Sequence, residues 1–343
     1  MEKTIEVPVE LEYVGCDLCG SSRTAPFLKS LDRNMQIHSG TPNATMSGQP
    51  WYLVRCQDCN LVFLNPRPVG SSLVNYYPNT YYAYNSPNRR VIRGVKSSIK
   101  RFVRRHRYLY NLLGRLRDGF EDPIVKEVGW VPPGAILDVG CGSGNFLDLV
   151  SDFGWCTFGV DISEGAVNEV GKKGHKVWLG DITELELPER AVDVVHMSHV
   201  LEHTKSPRRA IQAVKKVLRP EGILFIKVPN IGSILCEAFK DYSASLDLPR
   251  HLYQFTGGTL SRLVTEMGFQ IVNIKTEAVP IYTLQSIALS LLDHNARIYN
   301  TEEFDIHGFL KNDNFHRALI PFCSELEKVG QGNNLRLLAK CVK

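Results

Sequence analysis

The sequence predicts an α/β protein in which a small β-rich module precedes a doubly wound, mostly parallel sheet. Beyond residue 134, short apolar runs alternate with helical stretches, which is the pattern of β-α-β units. Before residue 69, the chain consists of short strands and loops punctuated by Gly, Pro and Asn. A chain of 343 residues, 43% of them hydrophobic, is long enough for one large core and a smaller module.

These patterns divide the chain into three regions: a β-rich module over residues 1–68, a basic helical linker or lid over 69–130, and the sheet domain over 131–343. In the linker, apolar residues recur at three- and four-residue spacing, which predicts helix. Seven apolar runs supply the strands of the sheet. They are residues 136–139, 157–160, 176–179, 192–197, 223–228, 270–274 and 335–342.

Positive charge is concentrated in the linker. The chain has a net charge of +4, but eleven Lys or Arg and no Asp or Glu lie between Arg89 and Arg117, which leaves 29 basic against 36 acidic residues elsewhere. A protein that coats nucleic acid would be basic throughout, so no nucleic-acid partner is predicted. The helix between Arg89 and Arg107 either contacts an anionic membrane surface or a phosphate-bearing acceptor, or packs with a solvated basic face.

The first residues and the cysteines predict a cytoplasmic protein. Residues 1–14 lack the basic and apolar segments of a signal peptide, and the longest apolar stretch, residues 279–292, is shorter than the roughly 20 residues of a membrane span. The nine cysteines are an odd number, so a disulfide framework is not expected.

Two Cys-x-x-Cys pairs in the module predict a structural zinc site. Cys16 and Cys19 form one pair, and Cys56 and Cys59 form the other, which supplies the four thiolates that tetrahedral zinc prefers. Gly and Asn, which tolerate a positive φ, follow the two pairs. Two redox-active or incidental pairs are the alternative, because 36 residues separate the pairs, more than in most such sites.

A glycine-rich turn follows the first apolar run and predicts a cradle for a nucleotide-type cofactor. Gly140, Gly142 and Gly144 allow a ligand to approach the backbone closely. Asp161 ends the next run, where a carboxylate can accept hydrogen bonds from both hydroxyls of a ribose. Asn145 stands where a dinucleotide fingerprint has its third glycine, so a pyrophosphate cradle is the weaker interpretation.

Over roughly residues 130–343 the sequence resembles the class I S-adenosylmethionine-dependent methyltransferases. The matching segments, in order, are residues 137–144, 159–163, 180–182, 192–195 and 218–224. The resemblance implies a Rossmann-like sheet of seven strands whose last strand is antiparallel. It also implies that the runs at 270–274 and 335–342 form a terminal hairpin, with a helical insertion at about 280–328 between them.

The resemblance also implies which residues bind the cofactor. The glycine turn and Asp138 flank the methionine half, Asp161 holds the ribose, and Ile162 is a further cofactor-binding residue. Asp181 and Ile182 contact the adenine, although an Asp at that position can also be a solvated residue at a strand end. Ser198, at the end of the fourth strand, completes the predicted cofactor site.

A base is needed near the methyl group, because methyl transfer to a hydroxyl, amine or carbon acid removes a proton. His199, Glu202 and His203 follow the fourth strand, and the two histidines share a face if the segment is helical. The segment resembles the Glu-x-x-Glu-His motif of ubiquinone-pathway O-methyltransferases, which can bind magnesium, but His199 replaces the first Glu. Pairing of Glu202 and His203 with backbone or Arg around the cofactor pocket is the alternative.

A second candidate base is His251, on a loop beyond the fifth strand. The cysteine pairs, the tyrosines and His251 together resemble zinc-containing sugar C-methyltransferases, whose His-x-x-Tyr-Phe motif aligns here with His251, Gln254 and Phe255. Gln254 departs from that motif, and the further C-terminal domain of those enzymes is not predicted. A role at a helix start or in a pocket wall is the alternative for His251.

Five tyrosines precede the basic helix. Rings with a polar tip suit a lid over a sugar or an aromatic acceptor. An interface between the module and the sheet domain is an equal alternative, because Tyr is common at interfaces. The residues are Tyr76, Tyr77, Tyr81, Tyr82 and Tyr84.

The sequence thus predicts an S-adenosylmethionine-dependent methyltransferase with a structural zinc ion. The predicted acceptor is a hydroxyl of a sugar-type or related small metabolite, which includes glycans and nucleotide sugars. C-methylation of a nucleotide-linked sugar is one alternative. A zinc-containing protein that binds or modifies RNA is another, although no known RNA-binding motif is present.

Overall fold

The computed structural model describes residues 9–33, 49–73, 76–77, 134–299 and 305–342. The basic helix predicted between Arg89 and Arg107 lies outside the described residues, as do Tyr81, Tyr82 and Tyr84. The chain divides into two compact units. The first unit contains Met1–Pro78, His199–Arg209 and Ile226–Leu337, and the second contains Asn79–Ser198, Ala210–Phe225 and Leu338–Lys343.

Short strands form the N-terminal region of the first unit, as the sequence predicts. They are β1 (Leu11–Glu12), β2 (Thr24–Ser30), β3 (Trp51–Cys56), β4 (Val62–Leu64) and β5 (Arg67–Pro68). β1 pairs with β5, whereas β2, β3 and β4 form an antiparallel sheet. The edge strand next to β4 comes from residues 253–254, outside the predicted module of residues 1–68. Local patterns could not reveal this strand, because its partner lies far away in the sequence.

A seven-stranded sheet of the Rossmann-like methyltransferase type confirms the predicted fold class. Its strands are β6 (Ala135–Val139), β7 (Cys156–Asp161), β8 (Lys176–Leu179), β9 (Val192–Ser198), β10 (Leu218–Pro229), β12 (Phe269–Glu277) and β13 (Asn334–Cys341), with β11 (Tyr253–Gln254) in the N-terminal sheet. The order is β12-β13-β10-β9-β6-β7-β8, with one antiparallel strand. β6 pairs in parallel with both β7 and β9, so the carboxyl ends of these three strands lie at the same edge of the sheet.

Helices connect the strands, and several of them begin at a capping side chain. They are α1 (Gly70–Leu73), α2 (Asn145–Ser151), α3 (Glu164–Lys172), α4 (Pro207–Val217), α5 (Ile234–Phe239), α6 (Gly257–Glu266), α7 (Pro280–Tyr299), α8 (Ile306–Leu310) and α9 (Asp313–Lys328). At the start of α6, the Thr256 side chain accepts the N–H of Thr259 at 3.2 Å, and Thr259 Oγ1 accepts the N–H of Thr256 at 2.9 Å. This reciprocal pair satisfies two of the otherwise unpaired donors of a helix start.

Each unit has its own apolar core. In the second unit, a fully buried cluster fixes β6 against α2; it contains Ile136, Val150, Trp155 and Val194. In the first unit, α7 and α8 enclose a cluster of Ala288, Leu289, Leu292 and Ile306. Among the helices of the described segments, none combines the length and apolar character that crossing a membrane requires.

Candidate functional site

The glycine turn, residues 140–144, connects β6 to α2 in the second unit. Gly140, Gly142 and Gly144 have φ values of 70°, 49° and 75°, a left-handed conformation that residues with a Cβ rarely adopt. A Cβ on Gly144 would also lie 2.9 Å from Cγ2 of Val170. The turn therefore presents bare backbone at the carboxyl end of β6, where parallel sheets bind their ligands.

Asp161, at the end of β7, holds the glycine turn in place. Its Oδ2 accepts the N–H of Gly142 at 2.8 Å, and its Oδ1 accepts the N–H of Ser163 at 2.9 Å. The side chain is buried, and burial raises the pKa of Asp161 even though these backbone donors oppose the shift. Each oxygen keeps a second lone pair, so the same carboxylate can hold the turn and accept ribose hydroxyls.

The other predicted cofactor residues differ in accessibility. Ile162 is 63% exposed directly after Asp161, so it offers an apolar surface to a flat base. Asp181 accepts both the N–H and the hydroxyl of Thr183 at 2.8 Å and so closes its own turn, while Ile182 is buried. Ser198 is the last residue of β9, which pairs with β6 up to the glycine turn.

Asp138 has a partner that sequence reasoning missed. Nδ1 of His196 lies 2.7 Å from Oδ1 of Asp138, on the facing residue of β9. The His196 ring stacks against Phe146 at 3.9 Å and against Phe225 at 5.1 Å between ring centroids. His196 sits inside an apolar strand pattern, and its pairing with Asp138 becomes visible only once the register of the two strands is known.

The four predicted zinc ligands lie together in the first unit. Their sulfur atoms are all within 4.8 Å of one another, with 3.3 Å between Cys16 and Cys59 and 3.5 Å between Cys19 and Cys56. Gly20 has a φ of 76° and Asn60 a φ of 62°, as the two tight turns require. Tetrahedral zinc with sulfur at about 2.3 Å needs comparable separations, so the four thiols fit this ion.

Protonation of three of these cysteines is perturbed by the fold, and burial raises the pKa of the Cys16 thiol far above its usual range. Burial alone would raise the pKa of the Cys56 thiol, but the backbone N–H groups of Asp58 and Cys59 lower it to about 7. For Cys59, burial is the dominant cause and raises the pKa to about 11. One of the four thiols is thus readily ionised near neutral pH even before a cation is bound.

The predicted bases of the first unit form one group, here called the histidine cluster: His199, Glu202, His203 and His251. Glu202 is fully buried at its centre. Nδ1 of His199 lies 3.3 Å from Glu202 Oε1, and Nε2 of His251 lies 4.0 Å from the same oxygen. Burial would raise the pKa of Glu202, yet the adjacent His199 side chain is the largest of the causes that lower it. The cluster therefore contains a carboxylate that is ionised near neutral pH.

His251 is held in the tautomer that a base requires. Its Nδ1 lies 2.9 Å from the carbonyl oxygen of Ser245, which can only accept, so Nδ1 carries the proton. Nε2 faces Glu202 at 4.0 Å and Asp247 at 3.7 Å. Neither distance is a hydrogen bond, so Nε2 keeps its lone pair with respect to these two carboxylates.

His203 is the least basic member of the cluster. Its Nδ1 lies 3.1 Å from the carbonyl oxygen of Arg250 and 2.9 Å from the hydroxyl of Tyr77. Burial is the main cause that lowers the pKa of His203 to about 4, and the nearby His251 adds to it. His203 is consequently neutral at pH 7. Tyr77, one of the five predicted lid or interface tyrosines, thus contacts the cluster directly.

The segment from residue 199 to residue 203 is not the continuous helix that would put its two histidines on one face. His199 has a φ of 56°, and only Leu201–His203 forms a single 3₁₀ turn. His199 instead donates its N–H to the carbonyl of Lys227 at 2.8 Å. The histidines come together through this bend and not through helical periodicity. The His199 side chain is 28% exposed, against 7% for His251 and 1% for Glu202.

Gln254, which departs from the sugar C-methyltransferase motif, is an anchor. It is buried and donates from Nε2 to the carbonyl of Leu246 at 2.9 Å. This bond closes the loop that carries His251. Gln254 therefore supports the loop and does not present a phenol-like hydroxyl.

A family model described as a methyltransferase domain matches residues 107–274. This part of the chain is thus similar to methyltransferase domains, and the seven-stranded sheet has the Rossmann-like methyltransferase fold. Over 138 residues the chain is 30% identical to a "probable S-adenosylmethionine-dependent methyltransferase" of Mycolicibacterium smegmatis, a match that covers 40% of this chain and 52% of that protein. The matched region includes the glycine turn.

Two further relatives illustrate the range of the family. A ubiquinone biosynthesis O-methyltransferase of Coxiella burnetii is 29% identical over 101 residues, covering 28% of this chain and 43% of that protein. A solved SAM-dependent methyltransferase of Thermotoga maritima is 18% identical, covers 71% of this chain and 97% of its own, and has a TM-score of 0.42. The chain spans about half the length of the curated relatives it matches.

Proposed function

We propose that the protein transfers a methyl group from S-adenosylmethionine to a hydroxyl of a sugar-type or related small metabolite. The observation that carries the proposal is the hydrogen bond from Gly142 to Asp161, which fixes a bare backbone turn beside a buried carboxylate. The match to the methyltransferase family model and the similarity to O-methyltransferases such as the ubiquinone enzyme of Coxiella burnetii support it.

The residues of the second unit fit the cofactor. The glycine turn and Asp138 would hold its methionine half, Asp161 its ribose, and Ile162 with Asp181 its adenine. When bound, the cofactor supplies a methyl group activated on a sulfonium. The contribution of the protein is then to exclude water, align the acceptor and remove its proton.

His251 is the proposed base of the first unit. Its Nδ1–H is fixed on Ser245, so Nε2 can take the proton of the acceptor hydroxyl as the new bond to oxygen forms. The ionised Glu202 beside Nε2 stabilises the resulting imidazolium. His199, which is partly exposed and paired with Glu202, is the proposed exit for the proton to solvent.

The four clustered thiols support a structural zinc ion. All four tetrahedral positions would be filled by protein, so no position is left for water or substrate. The strands around the site are short, and a metal stabilises such a small module. All nine cysteines have free thiols, which supports a cytoplasmic location, where thiols stay reduced.

C-methylation of a nucleotide-linked sugar is the second candidate. The observation that favours it is the pairing of β4 with β11, since it joins the cysteine module to the segment after His251. The same combination of module and histidine occurs in the sugar C-methyltransferases that the sequence resembles. The buried Gln254 argues against it, because the aligned position there is Tyr.

Incubation with S-adenosylmethionine carrying a ¹³C-labelled methyl group tests the proposal. The acceptor panel comprises simple glycosides, nucleotide sugars, catechols and total RNA, and carbon–proton NMR of the products distinguishes O-methyl from C-methyl groups. Label on an oxygen of a sugar or related small molecule is expected. Label on carbon would favour the second candidate, and label confined to RNA would contradict both.

A further inference from the structure

Three buried charged side chains of the first unit form a continuous ion chain, defined here as Asp32, Arg250 and Asp247. Nη2 and Nη1 of Arg250 lie 2.7 and 3.3 Å from the two carboxylate oxygens of Asp32. Nε and Nη2 of the same guanidinium lie 2.7 and 2.6 Å from Oδ1 of Asp247. All three side chains are at most 2% exposed. Arg250 thus links the N-terminal region to the loop that carries His251.

Stability alone does not account for such an arrangement. Removing an ion from water costs several kcal/mol, and apolar side chains of similar volume often replace buried ion pairs without loss of stability. What a planar guanidinium supplies instead is geometry, because its fork fixes the position of each carboxylate that it binds. The ion chain therefore specifies where Asp247 lies.

Asp247 in turn touches His251 in two places. Its carbonyl oxygen accepts the N–H of His251 at 2.9 Å, and its Oδ2 lies 3.7 Å from His251 Nε2. Asp247 has a φ of 38°, a conformation that residues other than glycine seldom adopt and that the surroundings must hold. Burial would raise the pKa of Asp247, but the charges of Arg250 and His251 keep it well below its usual range. Its negative charge beside the imidazole is therefore permanent near neutral pH.

The backbone around the cluster is tied to the same N-terminal region. Leu64, in β4, donates its N–H to the carbonyl of Leu252 at 2.9 Å, and Leu252 donates to the carbonyl of Glu202 at 2.8 Å. The residue after His251 is thus fixed between the N-terminal sheet and Glu202. The groups that face the His251 ring are the Ser245 carbonyl, Glu202, Asp247 and the ring of His203 at 4.5 Å.

We propose that Asp32 and Arg250 are positioning residues, through which the N-terminal module orients Asp247 and the His251 imidazole for proton transfer. The inference rests on the proposed function, because it assigns a purpose to the base named there. It gives the cysteine module a role in the acid–base site beyond its own folding. Asp32 acts at the cluster through Arg250 and need not contact any substrate.

Histidine NMR of the full-length chain tests the proposal without a known acceptor. The chain is labelled with ¹³C-histidine, and the Cε1–H resonance of His251 is assigned by its absence from His251→Ala. Asp32→Asn removes a negative charge at constant side-chain size. The positive charge of Arg250 is then neutralised by Asp247 alone, and the uncompensated positive charge disfavours protonation of the His251 imidazole. The titration midpoint of His251 is expected to fall by at least about 0.5 pH unit.

Two further variants separate positioning from a general structural effect. Asp241→Asn is the matched control, because Asp241 pairs with Arg33 at 2.6 Å and so joins the same two chain segments without contacting Arg250. It is expected to leave the His251 midpoint unchanged. Asp32→Glu keeps the charge and is expected to restore the midpoint. Should Asp32→Asn not fold, Arg250→Lys, which keeps the charge but loses the fork, is expected to shift the His251 resonance.

The proposal is overturned if Asp32→Asn leaves the midpoint of His251 in place, or if Asp241→Asn moves it equally. An unchanged resonance in Arg250→Lys would overturn it as well. Titration of the unmodified chain with S-adenosylhomocysteine separates this outcome from failure of the proposed function. Absence of binding contradicts the proposed function. Binding together with an unchanged His251 titration midpoint in Asp32→Asn overturns only the proposed role of the ion chain. With an acceptor in hand, Asp32→Asn is expected to lower kcat by roughly 10- to 100-fold and to leave cofactor affinity unchanged.

Discussion

The glycine turn of the second unit and the histidine cluster of the first unit are assembled in opposite ways. The turn consists of neighbouring residues, and its hydrogen bonds to Val160, Asp161 and Lys173 involve β7 and the end of α3. The cluster instead takes side chains from residues 199–203 and 247–251, with Asp32 behind them. A backbone turn is therefore determined by a short stretch of sequence, whereas a cluster of buried side chains depends on segments that lie far apart in the sequence.

Removal of the proposed zinc ion is expected to have the largest effect on the first unit. Chelation, or Cys56→Ser, is expected to lower Tm by at least about 10 °C, because the binding free energy of a structural metal is folding free energy. Calorimetry before and after dialysis against a chelator measures the change, and elemental analysis should find about one zinc per chain. Cys156→Ser is the control, since Cys156 is exposed and lies outside the cluster. A metal-free chain with unchanged Tm would refute the structural role.

Asp161→Ala tests the turn. The substitution is expected to weaken binding of S-adenosylhomocysteine by about 1000-fold, because two hydrogen bonds from the ribose to a charged group are lost. Isothermal calorimetry gives the affinity, and circular dichroism shows that the fold is kept. The control is Glu164→Ala, an exposed residue three positions later. Equal affinities for Asp161→Ala and the unmodified chain would remove the assignment.

His251→Ala tests the cluster. It is expected to lower kcat by about 100-fold, the usual contribution of a general base, without a change in the affinity for S-adenosylhomocysteine. The assay uses the acceptor found with labelled methyl groups, and His307→Ala, at an exposed position, is the control. Wild-type turnover in His251→Ala would show that His251 is not the general base, which would leave His199 as the remaining candidate or no side chain in that role.

A smaller effect is expected on stability below neutral pH. His203 has a pKa of about 4 in the folded chain, against about 6.5 in an unfolded one. Between these values the unfolded chain binds a proton that the folded chain does not, so stability falls as pH falls from 6.5 towards 4. His203→Gln is expected to remove on the order of 2 kcal/mol of this loss. Urea unfolding at several pH values measures the slope, and a slope equal to that of His307→Gln would contradict the assignment.

Features that depend on neighbouring residues could be predicted from the sequence, whereas features assembled from distant segments could not. The seven strands, the glycine turn, Asp161 and the two cysteine pairs were predictable, because each depends on local periodicity or on fixed spacing. His196 was missed because its partner, Asp138, is set by strand register. Asp32, Asp247 and Arg250 were missed because charged residues on loops carry no periodic signal that they are buried. The bend at His199 was missed for a related reason, since its positive φ is imposed by the surrounding structure.

The most direct measurement is a calorimetric titration of the intact chain with S-adenosylhomocysteine. Heat of binding to a single site per chain is expected, together with a rise in Tm, because the glycine turn and Asp161 are proposed to form one preorganised cofactor site. No heat and no thermal shift would contradict it, whatever the histidine cluster does.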